Sequence, residues 1–265
     1  MNLIEKQMLD ILKDLKQNHN VMAIKAEFEA EGSRTEELVK LNEIVFRADM
    51  DVYIKIGGCE AVRDLDECRT LGASGIMAPM IETPFAMSKF IGAIKKTYTA
   101  EELKSLKFII NAETITCFNN LDEILSVEGA ELVNSVVVGR VDLSGSMGLS
   151  RKEINGDEVF EKTRIILEKS IAKGKESGIG GGISIESVPF LNKLGKSLEK
   201  FETRKVVFKA PEALKDVNQG ILKAMEFETL YLKNKYNTYS RMAQEDVERI
   251  GMMEKRIVEV KELLK

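Results

Sequence analysis

The stretch "VVVGRVDLSGSMG", Val136 to Gly148, decides the fold. Three β-branched residues stop at Gly139, and Arg140, Asp142, Ser144 and Ser146 follow at once. A short apolar run bounded by glycine reads as a buried strand. A buried strand that empties straight into charge implies that its end opens on a rim where several chain segments meet. In parallel α/β folds that rim is where reacting groups gather.

Working outward, the same kind of run recurs along the chain. Strands are expected at Val21 to Phe28, Asp51 to Ile56, Gly75 to Met80, Lys107 to Ala112, Asn134 to Val138, Gly178 to Ser184 and Arg204 to Lys209. Stretches of helical spacing separate them, among them "SRTEELVKLNEIVFRA", "PFAMSKFIGAIKK" and "DEVFEKTRIILEKSIAKGKESG". This βα repetition, about thirty residues per unit, predicts a parallel sheet covered by helices. The fold class is therefore α/β, a TIM (β/α) barrel, irregular or incomplete because seven strands are counted where eight are usual. The expected organisation is a barrel with an N-terminal helix over residues 1–210 and a C-terminal helical extension over 211–265. In that extension Ile250, Met253, Ile257, Val260 and Leu264 keep a 3,4 spacing close to a heptad, a narrow seam suited to pairing with another subunit.

Composition narrows the function classes. The 265 residues suffice for a full core, and 39 basic against 43 acidic residues give a net charge of −4, both signs mixed along the chain. No basic face for nucleic acid is expected. The opening "MNLIEKQMLDILKDLK" has apolar residues at helical spacing with charges between, so neither a signal peptide nor a membrane span is read there. Cys59, Cys68 and Cys117 lack any CxxC spacing, which suits reduced thiols in a cytoplasm.

The strand ends carry the candidate chemistry. They present Lys25, Glu27 and Glu29; Lys55; Pro79, Glu82 and Thr83; Asn111, Glu113 and Thr114; Arg140, Asp142, Ser144 and Ser146; and the glycines Gly180 to Gly182. Acids gathered on one rim repel each other unless a cation sits among them. Two or three with open positions suit magnesium or manganese. Any one of them serves equally as a helix N-cap or first-turn residue. The run "GIGGG" offers backbone N–H groups to an anion but lacks the spacing and the Lys-Ser/Thr ending of a P-loop.

From about Val21 to Leu194 the chain resembles the HpcH/HpaI aldolase/citrate lyase family of the phosphoenolpyruvate/pyruvate superfamily. The likeness rests on "APMIET", then "INAET" followed by "NNLDEILSVEGAE", then "GRVDLSGSMG", in the family's order and strand contexts. It implies a barrel in which Glu113 and Asp142 hold a divalent metal, Mg2+ or Mn2+, and a pyruvate-like enolate binds to that metal. The backbone of Pro79 and Met80, or of Gly145, would then help to fix the substrate carboxylate, with Glu82 and Ser144 nearby.

Several departures bear on the chemistry. The place of a family arginine holds Lys55, which keeps the charge and loses the bidentate fork. Where the family has "GEH", aligning Glu27 puts Phe28 in the position of a histidine that shuttles protons. Acid/base work then falls to Lys25, Glu27 or Glu29, and Lys25 and Lys55 also permit a Schiff-base route. The only histidine, His19, sits in an expected helix-to-strand turn as a surface or capping residue. Arg140 replaces a small residue or proline, and either binds a second carboxylate or phosphate of the substrate or bridges to Glu82 or Glu27.

The expected function is that of a metal-dependent carbon–carbon lyase, aldolase- or citrate-lyase-like, cleaving a pyruvate-like or hydroxy-keto-acid substrate. Its catalytic candidates are Lys55, Glu27, Lys25 and Arg140, and a cytoplasmic homo-oligomer joined through the C-terminal helices is expected. Two other readings stand beside it. One is a superfamily reaction on a phosphorylated or sugar-acid substrate in polysaccharide precursor supply. The other is a barrel without catalysis, used for ligand sensing or assembly.

Overall fold

In the computed structural model, which describes residues 1–264, every expected strand region forms a strand and one further strand appears. The strands are β1 (Val21–Glu27), β2 (Asp51–Lys55), β3 (Gly75–Ala78), β4 (Lys107–Ala112), β5 (Val133–Gly139), β6 (Glu176–Gly180), β7 (Lys200–Glu202) and β8 (Val206–Lys209). They close into a barrel in sequence order. The helices are α1 (Leu3–Asn18), α2 (Thr35–Arg47), α3 (Val62–Thr70), α4 (Pro84–Thr97), α5 (Ala100–Ser105), α6 (Ile115–Ile124), α7 (Arg140–Ser146), α8 (Asp157–Ala172), α9 (Val188–Leu194) and α10 (Val217–Leu263). Among the described residues no helix is long and apolar enough to cross a membrane.

The alternation of side chains along each strand sorts the core into two parts. Ile24, Ala26, Val52, Ile54, Ile76, Ile110, Val136 and Val138 face the helices in the large outer cluster. Ala23, Tyr53, Met77, Ile109, Val137 and Val207 form a separate apolar plug inside the barrel. One step further along the inward positions stand Lys25, Lys55, Asn111 and Glu202, buried and polar. The plug seals the barrel floor, so these groups can be reached only from the other end.

The eighth strand corrects the expected count. β7 spans only "KFE", one aromatic between two charges, and does not read as a strand because both charges point into the barrel. It turns back at once into β8, which runs antiparallel to both β7 and β1. β6 also starts earlier than expected and stops at Gly180, because the glycines that follow turn the chain instead of extending it.

The reversed β8 sends the chain out at the barrel floor, and α10 climbs the outer wall against α1 from there. Its buried residues, Val217, Gly220, Ile221, Ala224, Phe227 and Tyr231, recur every three or four positions. At Gly220 a Cβ would lie 3.0 Å from the Phe208 ring, so the small residue lets the helix approach β8. The helix has 47 residues. At 1.5 Å per residue it is about 70 Å long, longer than the barrel wall. Ile250, Met253, Ile257 and Val260 are all exposed on its distal half. Within the expected extension Val217–Leu263 thus form one continuous helix, whose first turns complete the barrel wall.

Candidate active site

A cleft of about 410 Å3 opens at the carboxyl ends of the parallel strands. Lys25 and Glu27 reach it from β1, Lys55 from β2, Asn111 from β4, Glu113 just beyond β4, and Asp142 from the first turn of α7. Glycines on β5 and β6 make room for the long polar side chains. A Cβ at Gly139 would stand 2.6 Å from Glu113 Oε2, and one at Gly180 would stand 3.0 Å from the Glu202 side chain. A larger groove of about 680 Å3 lies between α1 and α10 on the outer wall and involves no strand end.

Glu113 is the buried centre of the cluster, with 2% exposure. Its Oε1 accepts the Met80 N–H at 3.1 Å and faces Lys55 Nζ at 3.4 Å, and its Oε2 accepts the Asn111 amide at 3.2 Å. Burial pushes its carboxyl above the ordinary range although Lys55 pulls the other way. Asp142 also raises it by repulsion. Met80 makes its bond from a left-handed conformation, φ 50°, which is strained for a side-chain-bearing residue. The Asn111 Oδ1 is buried and lacks a partner among the described residues.

Both lysines are pinned. Lys25 Nζ lies 2.7 Å from Glu202 and 3.4 Å from Glu27; Lys55 Nζ lies 2.8 Å from Glu29 and 3.4 Å from Glu113. Burial is the largest single influence on each and would discharge them. The carboxylates together outweigh it, so both ammonium groups titrate above the ordinary lysine value. A Schiff base needs a neutral amine. Neither environment favours one.

Arg140 stands elsewhere. It is fully buried, donating to Gly180 O, Gly181 O, Asn155 Oδ1 and Ser187 Oγ at 2.7 to 3.3 Å, with its guanidinium 4.6 Å from the Phe190 ring. No carboxylate pairs with it among the described residues, and burial draws its pKa down to about 10. Both expected roles, substrate contact and a bridge to Glu82 or Glu27, are therefore corrected. The strand runs one residue past its expected end, to Gly139, and α7 follows at once, so that Arg140 starts this helix with its side chain behind the β6 loop.

Pro79, Glu82, Ser144 and Gly145 also fall outside the cleft lining. α7 starts directly after Gly139, so Ser144 turns back to donate to Val141 O at 2.9 Å. Glu82 lies over α6, where its backbone accepts from Asn120 at 2.9 Å, and the Cys117 thiol is raised mainly by burial, with the Glu82 charge adding to it. His19 is the capping residue at the end of α1, buried near Asp216 and remote from the cleft.

Sequence reading missed Glu202, Arg204 and Arg151, all of which line the cleft. The first two sit on the β7–β8 hairpin, where Arg204 reaches Glu31 at 3.1 Å and Glu27 at 3.8 Å. The alternating charges of "KFETRK" were the available signal. Buried Lys205 pairs with Glu31 beside them.

The donor set fits a hard divalent cation. Among the described residues no group of three or more acidic, histidine or cysteine side chains forms a protein cage. Mg2+ is commonly held by one or two carboxylates, with water and substrate oxygens completing the shell. Glu113 and Asp142 supply two carboxylates, and the orphan Asn111 Oδ1 is a further oxygen in the same cleft. The lining carries six carboxylates against four cations, an excess that a divalent ion neutralises.

The model of the family described as HpcH/HpaI aldolase/citrate lyase matches residues 36–181, more than half of the chain. A 4-hydroxy-2-oxovalerate aldolase of Novosphingobium aromaticivorans is 26% identical over 146 residues, 48% of this chain and 54% of that one. A 2-keto-3-deoxy-L-rhamnonate aldolase of Escherichia coli O6:K15:H31 (strain 536 / UPEC) is 25% identical over 134 residues, 42% and 47% of the two chains. The chain thus spans about half the length of the curated relatives it matches. In fold it is similar to an HpcH/HpaI aldolase from Desulfitobacterium hafniense DCB-2, with TM-score 0.59, 15% identity, and coverage of 77% of this chain and 84% of that one. Citrate synthase SbnG gives TM-score 0.59 at 17% identity, covering 83% and 89%.

Proposed function

Because the chain belongs to the HpcH/HpaI aldolase/citrate lyase family, we propose that it is a divalent-metal-dependent carbon–carbon lyase acting on a hydroxylated 2-oxo acid. The observation that carries this reading is the pairing of buried Glu113 with Asp142 in one cleft, beside the protonated Lys55. Glu113 and Asp142 would hold the metal, which when bound polarises the substrate's 2-oxo group and stabilises negative charge that develops there. Lys55 places a fixed positive charge beside the same carboxylate and favours the enolate that bond cleavage leaves. The apolar plug below closes the cleft floor and excludes water from that side.

Phe28, half-buried against the outer core, leaves the family's proton-shuttle position without a titratable group. We assign proton transfer to Glu29, which lines the cleft, touches Lys55 and is 26% exposed, so that it can exchange protons with solvent. Glu29→Gln is expected to lower kcat by about 10²-fold, with KM changed much less. An unchanged kcat would move the role to Glu27.

The reading is tested by following pyruvate release from 4-hydroxy-2-oxo acids with the metal-stripped protein and after adding Mg2+ or Mn2+. Release that needs the metal supports a lyase. Tight binding only of phosphorylated ligands, without cleavage, would favour a different superfamily reaction.

The proposal extends to assembly. The exposed seam of Ile250, Met253, Ile257 and Val260 on α10 matches the spacing by which helices pair, and we take its partner to be a second copy of the chain. Deleting residues 243–265 removes no buried residue of the described chain. Light scattering should therefore show a smaller particle, with circular dichroism reporting a folded barrel. An unchanged mass would show that the arm is not the contact.

A further inference from the structure

We infer that the turn Gly181–Ile183 and Arg151 form an oxyanion subsite at the edge of the cleft, which selects substrates carrying a second anionic group. This inference rests on reading the cleft as a 2-oxo acid site.

The carbonyls of Gly180 and Gly181 accept from the buried Arg140, at 3.2 and 2.9 Å, and that of Gly182 accepts from Ser187 Oγ at 3.1 Å. In a trans peptide the N–H points opposite to its carbonyl. The N–H groups of Gly181, Gly182 and Ile183 are therefore turned away from Arg140 and Ser187, while the three residues line the cleft. They have no acceptor among the described residues. Gly181 and Gly182 have φ of 74° and 65°, and a Cβ at Gly181 would meet the backbone nitrogens of Arg140 and Val141 at 2.7 Å. Only glycine lets the chain turn so tightly beside Asp142. Successive free N–H groups in a left-handed turn form a concave seat for an anion.

Arg151 supplies the charge. It begins the 3-10 turn Arg151–Glu153, is exposed, and lines the same cleft. The other lining cations are engaged: Lys25 by Glu202 and Glu27, Lys55 by Glu29 and Glu113, Arg204 by Glu31 and Glu27. Among the described residues Arg151 has no carboxylate partner. A free guanidinium next to unpaired N–H groups suits a carboxylate or a phosphate.

The test compares 2-oxoglutarate with 2-oxovalerate, equal in chain length but differing in the distal carboxylate, by calorimetry with Mg2+ present. The wild-type protein should bind 2-oxoglutarate about tenfold more tightly, and Arg151→Gln should bring the two within about twofold. Inorganic phosphate and acetate, added as competitors, should each relieve the preference; the one that acts at lower concentration tells whether the natural group is phosphate or carboxylate. Equal affinity for the two acids in the wild type, a preference that survives Arg151→Gln, or indifference to both competitors would overturn the subsite. Oxalate is titrated in parallel: its failure to bind would sink the 2-oxo acid reading, whereas oxalate binding without the preference would sink only the subsite.

Discussion

Glu113→Gln should abolish metal-dependent cleavage, lowering kcat/KM by on the order of 10³-fold, while leaving the barrel as stable as before. The two halves of this expectation come from the same contacts. The carboxylate is buried, and burial raises its pKa, so its charge is unfavourable in the metal-free protein. A glutamine keeps the shape and removes the charge. Its oxygen can still accept the Met80 N–H, and its amide can face Asn111, whose Oδ1 has no partner now and can turn to accept. Lys55 keeps Glu29. What the variant loses is the negative charge that a cation requires. A thermal melt without metal and a pyruvate-release assay with metal check both halves. A variant that unfolds would make Glu113 a structural residue, and one that stays active would remove it from the site.

Arg140→Ala is expected to destabilise the barrel by about 3 kcal/mol, read as a lower urea midpoint. Two effects oppose each other here. Removing a guanidinium that has no carboxylate relieves its desolvation, which the fall of its pKa to about 10 registers. Against that, Gly180 O, Gly181 O and Asn155 Oδ1 lose a donor at once, and the Phe190 ring faces a void. Three acceptors left without a donor, at about 1 kcal/mol or more each, and a cavity together exceed the relief. Arg140→Met should refill most of the void without restoring the donors and so recover only part of the loss. A change below about 0.5 kcal/mol for Arg140→Ala, within the range of an ordinary surface substitution, would contradict the clamp.

Arg140 also marks where sequence reading stops. Period sufficed for seven of the eight strands, and strand-end chemistry for listing Lys25, Glu27, Lys55, Glu113 and Asp142, all of which line the cleft; it was the family resemblance that singled out Glu113 and Asp142 as a pair. Period and strand-end chemistry did not tell on which side of the wall a residue one step past the strand would fall, since that depends on where α7 begins. Arg140 starts that helix and turns out; Asp142, two positions on, lines the cleft. β7 was invisible for a different reason. Its inward positions are Lys200 and Glu202, so the apolar content that announces other strands is reduced to Phe201. Arg151 gave no signal, because a free cation in a surface turn is ordinary until the structure sets it beside the glycine turn.

Glu113 and Asp142 are proposed jointly to hold a cation that presents a 2-oxo acid. Their joint role is tested most directly by calorimetric titration of oxalate, an enolate mimic, into metal-stripped protein with and without Mn2+, for the wild type, Glu113→Gln and Asp142→Asn. Binding is expected for the wild type only with Mn2+, and for neither variant. Oxalate binding that is indifferent to the metal, or that survives loss of either carboxylate, would contradict that role.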